Sequence, residues 1–383
     1  MHLDQLFGTI CTGQGEARAM LCMDADCPEM CTLQWWNEAN HTGYALVTNV
    51  SWNGDDIQLI PAQLHRVNNT GAIQPLVPFN EQEDRWFRTT TAQLKRVGRG
   101  LEGKWNGPDD ATGLIKLDPI SEAARLIAER IETWKEFRDW AYNVRQEGKL
   151  VWFRGHGSNE FSLRTTLHRL NISRLERYCY TRLTQFSLLA EAALSRRFDL
   201  NNPYDYATVL GLARHHGMPT PLLDWTASPY IAAFFAFADA LERSVRPGCS
   251  DFVRIYGLTK EFIELRNVPQ LVIPWVKPYA HPFMIGPLYN PRIAAQQSCF
   301  VVTNVDDFEG LVRSEEARLK TQSLHAIDVP VKIAPEAIKD LAFMGLTAAT
   351  LFPGLDGVGR MHQHEMLVGV GASSNLSHVL GLR

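Results

Sequence analysis

The run Pro229-Tyr230-Ile231-Ala232-Ala233-Phe234-Phe235-Ala236-Phe237-Ala238 constrains the fold more than any other segment, because wound into a helix it is nearly all apolar. Proline is tolerated in a first helical turn, so a helix opening at Pro229 is expected. Such a helix has no face to give to water and must be buried. Just before it, residues 217–226 read as a short loop, following an expected helix of about 204–216 that ends at Gly217 with Pro219 just beyond.

The composition changes at Asp118-Pro119. Ser121 is placed to cap a helix running to roughly Gln146, with Leu126, Ile127, Ile131, Trp134, Phe137 and Trp140 recurring at three and four on one face. Leu150-Val151-Trp152-Phe153 follows as a short strand that delivers Arg154 at its end. Another helix is expected over about 173–198, and strands at about 251–258, 298–303 and 323–329, so this part reads as α+β. Residues 1–117 differ: short strands such as 43–48 and 56–60, and a hairpin joining 101–107 to 113–117, are punctuated by Gly, Asn and Pro. That pattern predicts a small β-rich sandwich or barrel. The 383 residues exceed the roughly 250–300 that one core organises, which supports two domains, 1–117 and 118–383.

A net charge of -4 and a pI near 6.3 give no global basic field, so any nucleic-acid site must be a local patch. No run of 18 apolar residues occurs and the start lacks a basic-then-apolar layout, so no membrane contact and a cytoplasmic location are expected. Seven cysteines, with Cys179, Cys249 and Cys299 standing alone, read as reduced thiols. Cys22, Cys27 and Cys31 with His41 lack a zinc-knuckle spacing, and no metal is expected.

Three clusters carry chemistry. Arg154, beside Gly155 and Gly157, suits a phosphate or carboxylate through its planar fork, or else a buried ion pair. The run from Ala213 to Ser228 packs His215, His216, Asp224, Trp225, Thr226 and Ser228 around a tight turn. Those polar groups suggest a pocket; Asp224, Thr226 or Ser228 could equally cap the following helix, and His216 suits a structural role. The third cluster runs from Pro291 to Phe300 and includes Gln296 and Gln297, which as strand-entry residues are often incidental.

In this order, a Phe153-Arg154-Gly155 strand, the His215-to-Trp225 loop before an apolar helix, the Arg292-to-Phe300 strand and Leu351 to Gly357 resemble an FRG domain over roughly 120–360. Pro221 and Ser298 depart from the family, which usually carries Arg and Gly there. The β-rich segment is similar to one often placed ahead of FRG domains. FRG domains in turn resemble ADP-ribosyltransferases of the Arg-Ser-Glu type. The resemblance implies an α+β fold of that kind, with Arg154, Thr226-Ala227-Ser228 and Gln296 or Gln297 in the three key places. On this comparison the chain is expected to be an NAD-dependent ADP-ribosyltransferase, a toxin or antiphage effector acting on a nucleic acid or protein acceptor, with a neutralising antitoxin as partner. Arg154, with Gly155, would hold NAD; Thr226 and Ser228 would position the nicotinamide half, Trp225 would supply an aromatic face, and Gln297 would join them in binding the cofactor. Gln296 or Asp224 would stabilise the oxocarbenium-like ribose, and His215 would serve as general base. NAD hydrolysis and a noncatalytic nucleotide- or partner-binding module are the alternatives. A metal nuclease built on His215, His216 and Asp224 is more distant, for want of a spaced acidic set.

Overall fold

The computed structural model describes residues 5–13, 15–37, 43–68, 71–74, 80–120, 126–244, 250–265 and 274–368. Strands β1 (Leu6–Thr12), β2 (Gly15–Asp24), β3 (Cys27–Trp36), β4 (Gly43–Asn53), β5 (Asp56–Arg66), β6 (Thr91–Val97), β7 (Gly100–Asn106) and β8 (Thr112–Asp118) form a closed antiparallel barrel, with α1 (Glu81–Thr89) between β5 and β6. Closure comes from β1, which pairs with both β2 and β8 and so leaves no edge. Side chains alternate as the pleat requires. On β2, Ala17, Ala19, Leu21 and Met23 fill the interior, while Met20 and Cys22 pack outward against Ile73 and Val276. The thiols are quiet: burial raises Cys22 far above the ordinary value, and pushes Cys31 up to about 11. His41 lies outside the described residues, so the four-residue zinc question is not posed in space.

The remainder is α+β, built on a seven-stranded sheet of order β13-β14-β11-β10-β12-β15-β9. Its strands are β9 (Glu129–Arg130), β10 (Leu150–His156), β11 (Leu222–Thr226), β12 (Phe252–Thr259), β13 (Ala280–Phe283), β14 (Ser298–Thr303) and β15 (Leu324–Pro330). The helices are α2 (Trp134–Glu147), α3 (Leu175–Arg177), α4 (Thr184–Leu194), α5 (Pro203–His215), α6 (Pro229–Ser244), α7 (Lys260–Leu265), α8 (Arg292–Ala295), α9 (Phe308–Leu319), α10 (Ala334–Phe343), α11 (Ala348–Leu351) and α12 (Leu355–Leu367).

The apolar run is α6, held between β10 and β12 on one side and α10 and α12 on the other. Ile231, Phe234 and Phe237 are at most 2% exposed, and burial of each contributes about 1.5–3 kcal/mol. The helix reaches the sheet closely only because β10 offers glycine. A Cβ on Gly155 would lie 1.9 Å from the carbonyl oxygen of Ala232, and one on Gly157 2.3 Å from the Asp239 carboxylate. Gly155→Ala is therefore expected to destabilise the fold by at least about 1–3 kcal/mol, the usual range for overpacking, read as a lowered urea midpoint. An unchanged midpoint would show that α6 can retreat freely.

Two elements differ from expectation. The helix expected from Glu122 to roughly Gln146 is observed only from Trp134, with Thr133 as its cap, accepting from the N–H of Glu136. Residues Glu129–Arg130 instead pair in parallel with β15, and Ile131 donates to the carbonyl of Asp328, so sheet pairing outcompetes the helical spacing. Ile127, assigned to the buried face, is 91% exposed, and Ser121 lies outside the described residues. The loop 217–226 contains β11, fully laddered to β14. Gly217, Pro219 and Pro221 just before it give the segment the turn signals of a loop, which mask the strand that follows. The helix over 173–198 is α3, a π-helical turn at Tyr178–Leu183, and α4.

Candidate functional site

Strand β11 lies between β14 and β10, but its pairing to β10 is a single couple, Phe153 opposite Thr226. Beyond it the strands part, and the sheet opens. Arg154 spans the opening: an Nη1–H donates to the carbonyl of Asp224, replacing the missing backbone rungs, and Nε–H donates to His156 Nε2 at 3.0 Å. Two of the five N–H donors of the guanidinium thus make hydrogen bonds, and Nη1 also lies 3.8 Å from the Asp224 carboxylate, so the group is ion-paired as well. Burial lowers the Arg154 pKa to about 10, against the pull of Asp224, so the group remains a cation at neutral pH. His156 must present a bare Nε2 to accept. Burial first, then the Arg154 charge, hold its pKa well below the ordinary value and keep it neutral.

At this opening lies a cleft of about 860 Å³, a size typical of small-molecule sites. Arg154, His215, Asp224, Thr226 and Gln296 all line it, so the structure brings together the three sequence clusters. Six arginines line it: Arg154, Arg164, Arg169, Arg214, Arg243 and Arg292. Arg214 clamps both carboxylate oxygens of Asp224, Arg243 pairs with Asp239 at 2.9 Å, and Arg164 with Asp306 at 3.6 Å. Arg169 and Arg292 have no carboxylate partner among the described residues; the Arg292 guanidinium instead sits 5.4 Å from the Phe352 ring centre. Of the three carboxylates in the lining, only Glu160 is unpaired among the described residues.

The expected residues divide. Burial alone would raise the Asp224 pKa, but Arg214 and Arg154 outweigh it and hold the carboxyl below its ordinary value, so Asp224 is an anion already neutralised. The Thr226 hydroxyl donates to the carbonyl of Gln296 and accepts from the N–H of Ser228. The Gln296 amide donates to the carbonyl of Leu351 at 3.0 Å, which ties α8 to α11. His215 lines the cleft with a free imidazole, its pKa lowered first by burial and then by Arg292 and His216.

Two assignments change, those of Ser228 and Gln297. Trp225 is among the residues that line the cleft, but it is 3% exposed and its indole packs with Phe308, in the cluster of Leu223 and Val301. Gly155 also lines the cleft, besides serving the approach of α6. Ser228 caps α6, its hydroxyl accepting from the N–H of Ile231 at 3.4 Å, and is not in the lining. Gln297 is exposed in a left-handed conformation, outside the lining, with its carbonyl accepting from the N–H of Ala227. Arg214, Arg169, Glu160, His156 and Arg243 escaped the sequence reading. Arg214 stood beside His215 in the singled-out run, whereas Arg164 and Arg169 lie in a segment with no motif to mark them.

No curated protein and no solved structure matches the chain. The model of the FRG domain matches residues 149–244, from the start of β10 to the end of α6. The match takes in Arg154 and the Arg214–Asp224 pair, stops short of Gln296 and of α11, and places an FRG domain at residues 149–244.

Proposed function

We propose that the cleft binds NAD through its diphosphate and that the protein is an NAD-dependent ADP-ribosyltransferase. The observation that carries the reading is the surplus of guanidinium in the cleft: six arginines against three carboxylates, with Arg169 and Arg292 having no carboxylate partner among the described residues. Planar forks of this kind suit phosphate oxygens. In the transfer, the bond from ribose to nicotinamide breaks with its electron pair leaving on nicotinamide. The acceptor nucleophile forms the new bond to the ribose carbon, and its proton passes to His215. A carboxylate near the oxocarbenium-like ribose favours this step. Asp224 is already committed to Arg214, so Glu160 takes that role here.

A second reading, nucleotide binding without turnover, is favoured by Gln296, which lies just before β14 where the transferase comparison calls for a carboxylate, and which spends its amide on Leu351. Incubation of the purified protein with labelled NAD and cell lysate separates the two. Label attached to macromolecules, with nicotinamide released, is the expected result; release without attachment would point to NAD hydrolysis, and neither would leave the binding module. The general base must be unprotonated. The depressed pKa of His215 therefore predicts that the acid limb of kcat/KM, where His215 takes up its proton, is centred below the ordinary imidazole value of 6.5. A decline centred above 6.5 would remove His215 from the role.

A further inference from the structure

The barrel holds a second cavity, of about 400 Å³, unrelated to the arginine cleft. An eight-stranded barrel is just wide enough either to be filled by its own side chains or to hold one small ligand. Here the two ends differ. Near the β2–β3 turn, Leu6, Leu21, Met23, Leu101 and Leu117 fill the interior. Toward the other end, where β1 turns into β2 and β7 into β8, the lining residues include Gly13, Gly15, Ala17, Ala92 and Ala111, too small to meet across the axis. Space is left by residue choice.

The chemistry of the walls narrows the occupant. Ile10, Leu33, Leu46, Leu59 and Ile115 make the depth apolar, and Trp35, Tyr44 and Trp105 supply rings. Trp35 and Tyr44 stack at 5.4 Å, with Tyr44 39% exposed. Among the described residues the lining has no lysine or arginine, and its one charged residue is the exposed Glu16. An anion entering such a space would lose its hydration with nothing to replace it. The filled end is also the end at which the β2–β3 turn docks on the rest of the chain, through Asp24 and Ser173, so the opening faces away from that contact. From these features we infer that the barrel is a binding site for one uncharged, ring-bearing, mostly apolar small molecule.

The test uses N-phenyl-1-naphthylamine as a neutral fluorescent probe and 8-anilinonaphthalene-1-sulfonate as its anionic counterpart, titrated into the full chain. The expected result is a saturable, one-to-one enhancement with the neutral probe, and binding roughly tenfold or more weaker with the sulfonate. Ala92→Phe, which fills the cavity, should abolish the enhancement. Tyr44→Ala, at an exposed rim position that leaves the fold intact, should weaken it roughly tenfold. No saturable enhancement with the folded wild type overturns the proposal. So does equal binding of the sulfonate, or an enhancement that both substitutions leave unchanged.

Discussion

Arg154→Ala is expected, on the proposed transferase activity, to lower NAD turnover by about two to three orders of magnitude, the usual loss when a preorganised electrostatic donor is removed from a reacting centre. Binding of ADP-ribose, followed by calorimetry, should weaken in parallel, because a guanidinium that lines the cleft is lost. The fold should largely survive. Asp224 keeps its bidentate partner in Arg214, and the burial that pulls the Arg154 pKa down to about 10 shows that the native site holds this cation against a desolvation penalty. The space left by the side chain admits water, which can donate to the carbonyl of Asp224 and to Nε2 of His156 in its place and so limits the cost of the lost hydrogen bonds. A merely structural arginine would give the opposite result, with affinity kept and the melting temperature sharply lowered. Arg154→Lys should fall between: an ammonium retains charge, but a single nitrogen cannot both bridge to Asp224 and present a fork to a diphosphate.

Arg154 was legible because its neighbours follow a pattern: an apolar strand, then arginine, then glycine. The same holds for α6, whose unbroken apolar run admitted only a buried place, and for β14, whose predicted span, 298–303, is the one observed. What sequence could not give was the partner of each polar group. Asp224 reads alike as a cap, a catalytic charge or an ion-pair member, and only the position of Arg214 on the preceding helix decides. Gln296 reads as a catalytic amide until α11 arrives, fifty-five residues later in the chain, to accept its hydrogen bond. The helix expected from Ser121 failed for a related reason. Its three-and-four spacing was genuine from Trp134 on, but β15, far along the chain, claimed Glu129 and Arg130 first.

The union of barrel and FRG region rests on a buried ionic cluster, which predicts the largest stability effect. Thr32 lies on β3 between Cys31 and Leu33; those two face the interior, so Thr32 faces out. Its hydroxyl donates to Glu176 Oε1 at 2.6 Å and accepts from Arg174 Nε at 2.9 Å, while Arg174 also reaches Glu176 at 3.0 Å. All three residues are at most 4% exposed. Alongside, Asp24 accepts the backbone N–H groups of Ser173 and Arg174, and Ala25 donates to the carbonyl of Asn171. Arg174→Ala leaves the Glu176 carboxylate buried without its cation, and Glu176 Oε2 already has no hydrogen-bond partner. A loss of about 3–5 kcal/mol is expected, against total stabilities of about 5–15 kcal/mol, and a urea titration followed by tryptophan fluorescence reads it directly. The double variant Arg174→Met, Glu176→Leu should recover most of that loss, because removing both charges also removes their desolvation penalty. Arg164 and Arg169 reach the cleft from the chain just before this clasp, with Arg164 donating to the carbonyl of His168 and to Asn171. The single variant should therefore also weaken ADP-ribose binding, and the double variant should restore it. If the double variant regained stability but not affinity, the clasp would be acting on the cleft through the charges themselves and not through the position of the segment they hold.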